Sequence, residues 1–240
     1  MNASDFHQQI YTTLVSTELY KTRINDPMWV TLDCRYSLTD PGWGRAQYST
    51  GHIPGAVFVD VHHDLAGTAT GTNGRHPLPS PEAFARTLGR LGICRTTQVA
   101  VYDQGPGMYA SRLWWMMRWL GHEAVAVIDG GYAKWVAEDR HVRTDDEFRT
   151  PVEYIPQPRP ELLVTIAEAE QLAADGRTLL VDARSPERFS GQPDPLDKVP
   201  GHIPGAVNRY YKDNTLDDGT FKATDDLRSD YLREIGRAHV

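Results

Sequence analysis

The sequence predicts an α/β protein made of two copies of one domain, each built around a parallel sheet. The segment Gly-His-Ile-Pro-Gly-Ala-Val stands at residues 51–57 and again at 201–207, and an apolar run ending in Asp-x-Arg precedes it both times. Seven consecutive identities are not expected by chance and indicate a tandem repeat. Strand-like and helix-like segments also alternate along the first copy, which favours parallel strands joined by helical crossovers.

The first copy shows this alternation most clearly. Its apolar runs have the length of buried parallel strands, and they lie at residues 28–33, 56–60, 99–102 and 124–128. Residues 80–82, Ser-Pro-Glu, supply an N-cap, a proline at the first helical position and an acid in the first turn, and Gly92 ends the helix that follows. Further helices are predicted at residues 108–120 and around Trp135.

The second copy repeats the beginning of this pattern. A helix is predicted at residues 166–174, a strand at 179–182 and a final helix from about Thr224. Residues 141–160, between the copies, are rich in charge and proline, which predicts an extended linker. The expected domains are a first domain at 1–145, a linker at 146–162 and a second domain at 163–240.

Composition excludes several classes of function. A hydrophobic fraction of 40% with 24% charged residues is that of a globular protein, and the net charge of -7 argues against broad attraction to nucleic acid. The N-terminus lacks the pattern of a signal peptide, and no apolar run is long enough to span a bilayer. Two cysteines cannot form a disulfide framework or a four-cysteine metal site. We expect a cytoplasmic monomer that contacts neither membrane nor nucleic acid.

Four motifs together resemble the two-domain rhodanese family of thiosulfate and 3-mercaptopyruvate sulfurtransferases. They are the two Asp-x-Arg strand ends, the repeated heptapeptide, Arg-Leu-Trp-Trp at 112–115 and Asp-Gly-Gly-Tyr-Ala-Lys-Trp at 129–135. The resemblance implies a parallel five-stranded sheet with helices on both faces in each domain, and no metal or cofactor. It implies a small anionic sulfur donor and a thiol or cyanide acceptor.

The resemblance also implies a catalytic cysteine in a strand-to-helix loop of the second domain. Backbone N–H groups and the helix N-terminus lower the thiol pKa there and hold the transferred sulfur as a persulfide. In the first copy the loop is residues 103–110, and its leading residue is Asp103. A carboxylate can satisfy the loop N–H groups but cannot carry sulfur, so the first copy is predicted to be inactive; an aspartyl nucleophile is the alternative.

The catalytic cysteine is expected beyond Val240. His52 precedes Asp103 by 51 positions and Gly92 precedes it by 11, and the same intervals counted from His202 and Gly236 reach positions 253 and 247. The last six residues, Ile-Gly-Arg-Ala-His-Val, are what one reading frame of a common sequencing adapter encodes. We therefore expect a C-terminally truncated chain that is inactive by itself.

Arg188 and Arg184 are the candidate substrate-binding residues. Arg188 matches the family arginine that pairs with the donor's anionic group, and a guanidinium suits that role because it presents paired donors and stays charged. Arg184 and its counterpart Arg35 are also predicted to tie strand ends to nearby acids or carbonyls. Leu196 stands where mercaptopyruvate-type members have a second arginine, which favours thiosulfate as the donor.

Other reactive side chains are given structural roles. His52 and His202 occur in both copies, so each is predicted to bond a backbone carbonyl beside its Ile-Pro-Gly turn. Cys34 and Cys94 are predicted to be small packing residues. Core or interface packing is likewise predicted for Trp114, Trp115, Trp119 and Trp135.

Two rival functions remain open from the sequence. One is a rhodanese-like module that binds anions or a partner without catalysis. The other is a phosphatase, because dual-specificity phosphatases share this domain fold with a longer cysteine loop. The tandem copies and the Arg188 segment argue against the phosphatase.

Overall fold

The chain divides into two compact units, Met1–Arg159 and Pro160–Val240. The computed structural model describes residues 9–175, 178–196 and 199–234. The six C-terminal residues that prompted the truncation hypothesis lie outside these ranges.

The first unit is built on a five-stranded parallel sheet. Its strands lie side by side in the order β1-β5-β4-β2-β3. All neighbouring pairs are parallel, so the chain returns to the same edge of the sheet before each new strand begins. Every residue of β2 and β4 is buried, as the uninterrupted apolar runs predict. The strands are β1 (Leu14–Ser16), β2 (Trp29–Asp33), β3 (Ala56–Phe58), β4 (Gln98–Tyr102) and β5 (Val125–Asp129).

Helices cover both faces of this sheet. On one face, Leu88 of α3 and Met116 of α4 pack into a cluster with Leu32. On the other, Tyr20 of α1 and Trp135 of α5 pack with Ala100. Both faces are therefore apolar and closed to water. The helices are α1 (Thr17–Lys21), α2 (Trp43–Thr50), α3 (Pro81–Arg90), α4 (Ala110–Trp119) and α5 (Gly131–Ala137).

Local signals place these elements where the sequence predicts them. The Ser80 hydroxyl accepts the Ala83 N–H, with Pro81 in the first turn, which confirms the predicted helix start. Three elements of the first unit were not predicted, namely β1, α1 and α2. The first two have only three and five residues, too few to show a period, although Ser16 caps α1 and Glu18 lies in its first turn. α2 has no acid in its first turn and no side-chain cap, so no local signal marks its start.

Residues 146–159, predicted as linker, pack against the first unit. The Val152 N–H donates to the Gly89 carbonyl over 2.9 Å, and the Arg159 N–H donates to the Trp119 carbonyl over 2.8 Å. The Tyr154 side chain is buried against the same unit. The prolines keep the segment extended, but tertiary contacts hold it in place up to Arg159.

The second unit repeats the start of the first. It contains α6 (Ile166–Ala174), β6 (Val181–Asp182), α7 (Pro186–Phe189), β7 (Val207–Asn208) and α8 (Thr224–Glu234). β6 and β7 pair in parallel, as β2 and β3 do in the first unit. The predicted helix starts at residue 166 and at Thr224 are confirmed.

Burial differs strongly between the units. In the described part of the second unit no apolar side chain is buried, whereas Arg209 is 3% exposed. Ile53 is 0% exposed, and its repeat partner Ile203 is 62% exposed. Across the described ranges, no helix is long and apolar enough to cross a bilayer.

Candidate functional site

The Asp-x-Arg motif forms the same contact in both copies. In the first, Arg35 donates to both Asp33 carboxylate oxygens, and its Nη2 also donates to the Gly51 carbonyl over 2.7 Å. In the second, Arg184 bonds Asp182 in the same way, and its Nη2 donates to the Gly201 carbonyl over 2.7 Å. Each arginine therefore ties the strand end to the glycine of the repeated heptapeptide.

This pairing has an electrostatic signature. Hydrogen bonds from the Arg184 guanidinium hold the pKa of the Asp182 carboxyl below its usual range, and the charge of Arg188 adds to the effect. Arg188 is thus close enough to influence the end of β6. The structural role predicted for Arg184 is met by these contacts, while its assignment to donor binding stays a prediction.

The repeated heptapeptide is fixed by its histidine in both units. His52 Nδ1 donates to the Tyr48 carbonyl over 2.9 Å, and the ring stacks on Tyr48 at a centroid distance of 3.9 Å. His202 Nδ1 donates to the Phe189 carbonyl over 2.7 Å, and its ring stacks on Phe189 at 3.7 Å. The donor must be Nδ1–H because a carbonyl only accepts. The predicted structural role of both histidines is confirmed.

Arg188 lies on the short helix α7, directly after the carboxyl end of β6. Its Nε is 3.7 Å from Asp194 Oδ2, and the two side chains are 25% and 23% exposed. Because Tyr48 and Phe189 hold the equivalent histidines of the two copies, Arg188 corresponds to Gln47, so the first copy has no cation at this position. Arg188 is therefore a feature of the second copy alone.

The loop after β4 in the first unit is filled by its own carboxylate. Asp103 Oδ1 accepts the N–H groups of Gly105 and Gly107 over 3.0 and 3.1 Å. Oδ2 accepts those of Tyr109 and Ala110 over 2.8 and 3.1 Å. Four backbone donors at the start of α4 thus converge on one anion that is 3% exposed. This is the anion cradle that the sequence predicts, with a side chain in it that cannot carry sulfur.

The first residues of α5 donate hydrogen bonds to the carbonyl groups of the Asp103 loop. The Tyr132 N–H donates to the Asp103 carbonyl over 2.9 Å, and the Ala133 N–H donates to the Gln104 carbonyl over 3.0 Å. This approach requires Gly131, whose φ is +59° and where a Cβ would lie 2.7 Å from the Asp103 carbonyl oxygen. The Asp-Gly-Gly motif therefore serves the cradle rather than contributing a reactive group.

Neither cysteine lies at a strand-to-helix cradle. Cys34 follows β2 directly and is fully buried, and burial raises the pKa of its thiol well above the ordinary value. Cys94 lies before β4, at the opposite end of that strand from Asp103. Hydrogen bonds from the Thr96 and Thr97 hydroxyls lower the pKa of the Cys94 thiol to about 7. Backbone N–H groups of the same two threonines also lower the pKa of the Cys94 thiol, but this turn leads into a strand and not into a helix.

Three polar side chains join separate segments through hydrogen bonds that the sequence did not predict. The Tyr102 hydroxyl donates to Asp33 over 2.8 Å and accepts the Ile53 N–H, joining both motifs of the first copy. Arg112, singled out only as part of a motif, donates to the Leu65 and His76 carbonyls. Arg209 bonds Asn214 and Glu234, fixing β7 to α8. Only Tyr102 had a sequence signal, because it ends a buried strand.

No metal site is formed by the residues that the structure describes. Within residues 9–175, 178–196 and 199–234, no group of three or more His, Cys, Asp or Glu side chains could hold a metal ion.

Comparison with known proteins places this architecture. The model of the rhodanese-like domain matches residues 16–138 and 165–234. A probable 3-mercaptopyruvate sulfurtransferase of Pseudomonas aeruginosa is 40% identical over 217 residues, which is 89% of this chain and 76% of that protein. A putative thiosulfate sulfurtransferase of Mycobacterium tuberculosis is 38% identical over 209 residues, 82% of this chain and 69% of that protein.

Solved structures agree with the sequence comparisons. The crystal structure of SseA from Escherichia coli, which represents the rhodanese fold of 3-mercaptopyruvate sulfotransferases, superposes with a TM-score of 0.82 at 30% identity. The match covers 93% of this chain and 84% of that one. With both copies matched by the domain model and relatives at up to 40% identity over most of their length, the chain belongs to the two-domain rhodanese family.

Proposed function

We propose that this protein is a sulfurtransferase that moves sulfane sulfur from a small anionic donor to a thiol or cyanide acceptor. The observation that carries the proposal is the asymmetry between the copies. The first copy has a buried carboxylate in the cradle and Gln47 at the position of Arg188, whereas the second copy has a partly exposed guanidinium beside its strand end. An anionic donor would therefore be recognised in the second domain.

The nucleophile is proposed to be a cysteine outside the 240 residues, near positions 247–253. Cys34 is inaccessible and its high pKa keeps it a thiol, while Cys94 lies in a turn that leads into a strand and has no helix N-terminus beside it. A cysteine in a second-domain loop like that of Asp103 would instead meet four converging N–H groups. Those groups favour a thiolate and then the persulfide anion.

The proposed reaction has two balanced steps. The thiolate attacks the outer sulfur of thiosulfate, the sulfur–sulfur bond of the donor breaks, and sulfite leaves with the electron pair. With 3-mercaptopyruvate, the carbon–sulfur bond breaks and pyruvate leaves after protonation. Cyanide or a thiolate then attacks the outer sulfur of the persulfide and releases the cysteine thiolate. Arg188 is proposed to bind the anionic end of the donor, and Leu196 leaves thiosulfate as the favoured donor.

The test uses the full reading frame recovered from the genomic locus, assayed as thiocyanate formation from thiosulfate and cyanide. We expect turnover that a Cys→Ser change in the second-domain loop abolishes, and no turnover from the 240-residue chain. Turnover by the 240-residue chain that Cys94→Ser removes would contradict the placement of the nucleophile. A reading frame without such a cysteine would favour the rival function, a non-catalytic anion- or partner-binding module.

Arg188 gives a quantitative prediction in the same enzyme. Arg188→Ala removes a charge-assisted contact of a type worth about 1.5–3 kcal/mol, so kcat/KM should fall by roughly one to two decades. Arg188→Lys should recover only part, because ammonium lacks the planar fork. Steady-state kinetics with thiosulfate and with 3-mercaptopyruvate measure both. A change within about twofold for both donors would mean that Arg188 does not bind them.

A further inference from the structure

Asp194 is an acidic side chain that pairs with the proposed donor-binding arginine, Arg188. Its Oδ2 lies 3.7 Å from Arg188 Nε, within ion-pair distance but beyond a direct hydrogen bond. Both side chains keep about a quarter of their surface exposed, so water and small solutes can reach the pair. A dissolved anion can therefore compete with the carboxylate for the guanidinium.

The Asp194 carboxylate is held in place by its own loop. Its Oδ1 accepts the Leu196 N–H over 2.7 Å, which closes a tight turn. Pro193 and Pro195 flank it and restrict the backbone on either side. The two oxygens thus have separate roles, since Oδ1 fixes the turn and Oδ2 faces Arg188.

Among the residues that the structure describes, the charges nearest Arg188 favour competition rather than cooperation. Arg184, the next guanidinium along the chain, is engaged by Asp182 and the Gly201 carbonyl, and position 196 carries leucine. An anion arriving at Arg188 therefore meets a carboxylate already directed at the same guanidinium. Two anions beside one cation repel each other, so binding requires Asp194 Oδ2 to lose its ion pair.

We propose that Asp194 is a specificity-determining residue, a resident counter-anion that a donor must displace from Arg188. The proposal depends on the sulfurtransferase function inferred above, in which Arg188 recognises the donor. It predicts weak binding of anionic donors in general. It also predicts that a dianion such as thiosulfate displaces Asp194 better than a monoanionic carboxylate does.

The experiment is a calorimetric titration of the 240-residue chain with thiosulfate and, separately, with pyruvate. Asp194→Asn removes the charge but keeps an oxygen for the Leu196 N–H, and Asp194→Ser offers a hydroxyl acceptor if the first variant does not fold. Either should lower the thiosulfate Kd by about three- to tenfold. The benefit should vanish when Arg188→Ala is added, because the two changes act on one interaction. Glu170→Gln, on the exposed side of α6, controls for the change in net charge.

The outcomes separate the inference from the function beneath it. Thiosulfate binding that Arg188→Ala weakens but Asp194→Asn and Asp194→Ser leave within about 1.5-fold would overturn the role of Asp194 and keep Arg188 as the donor site. Binding that is unaffected by Arg188→Ala, or absent from the parent and all variants, would overturn the donor site and the inference with it. A gain matched by Glu170→Gln would reduce the effect to net charge.

Discussion

At the scale of single residues, Asp103 shows how a carboxylate can satisfy a loop of converging backbone N–H groups. A buried charge with no cation beside it is normally costly. Here four backbone N–H groups and the start of α4 supply the compensation. The side chain has become a structural part of the loop that would otherwise need an external anion.

Removing that carboxylate should destabilise the first unit. Asp103→Ala leaves four backbone donors without an acceptor, two of them in buried and two in partly buried hydrogen bonds, and we expect a loss of about 2–4 kcal/mol in the free energy of unfolding. Sulfate should enter the vacated cradle, so thermal denaturation should show a larger gain in Tm with sulfate for the variant than for the parent. The control is Asp40→Ala, which removes an exposed carboxylate that accepts one N–H from Gly42. An equal response to sulfate in parent and variant would contradict an anion cradle.

The two cysteines should differ sharply in reactivity. Iodoacetamide should alkylate Cys94 at a rate that rises with pH through about 7, because the thiolate forms above the pKa that the Thr96 and Thr97 hydroxyls lower. Cys34 should react only after denaturation, since it is 0% exposed. Mass spectrometry of timed samples distinguishes the two sites. Thr96→Val should move the Cys94 profile to higher pH; an unchanged profile would show that the hydroxyl has no such effect.

At the scale of elements, the cradle is made by three pieces of chain that meet at the carboxyl end of β4. β4 delivers Asp103, α4 directs its first N–H groups at the carboxylate, and the start of α5 bonds the loop carbonyls. The close contact between α5 and the loop depends on Gly131. The same edge of a parallel sheet is where ligands generally bind in α/β proteins.

Gly131→Ala should therefore be strongly destabilising. The added Cβ would lie 2.7 Å from the Asp103 carbonyl oxygen and 2.8 Å from that of Gly105, at a φ of +59°. Steric overlap and the left-handed backbone together should cost about 2–4 kcal/mol in urea denaturation. Gly105→Ala, where a Cβ meets nothing within 4 Å, is the matched control and should stay within about 0.5 kcal/mol. Similar losses for both would mean that the α5 contact does not fix the loop.

At the scale of the whole molecule, the two units differ in how much apolar surface they bury. Both faces of the first sheet are covered, whereas the described part of the second unit has a two-stranded sheet and no buried apolar side chain. Hydrophobic burial is the main favourable term in folding. The second unit of this chain should therefore open far more readily than the first.

Limited proteolysis tests this difference. Thermolysin should cut first among the exposed residues Leu162, Leu163, Val164 and Ile166 and leave a resistant fragment that ends near Arg159. The fragment should end there, at the last prolines of the predicted linker, because residues 146–159 are hydrogen-bonded to the first unit and should be protected with it. Mass spectrometry of the fragments gives the boundary. Equal resistance of both halves would contradict the assignment of low stability to the second unit.

Much of the fold follows from local sequence, and so does one part of the candidate site. The seven-residue repeat, the buried strands and the Ser80 cap are local signals, since each depends on a residue and its near neighbours. The same repeat identified His52 and His202 as structural, because it placed them in both copies. Asp103 could be read as an anion in a cradle because the chain itself supplies the loop and the helix start. Strand-to-helix geometry brings its four donors together within seven residues.

Tertiary structure decided what depends on contacts between distant residues. The bond from Tyr102 to Asp33 spans 69 positions, and the docking of Val152 on Gly89 gives residues 146–159 a place that their prolines do not indicate. Short elements such as β1 and α1 form because neighbours cover them, since three or five residues do not hold a structure alone. The sequence by itself therefore determined the family, the duplication and the carboxylate that leads the first copy's loop. Only the fold determined which side chains meet, because packing and hydrogen bonding act through space rather than along the chain.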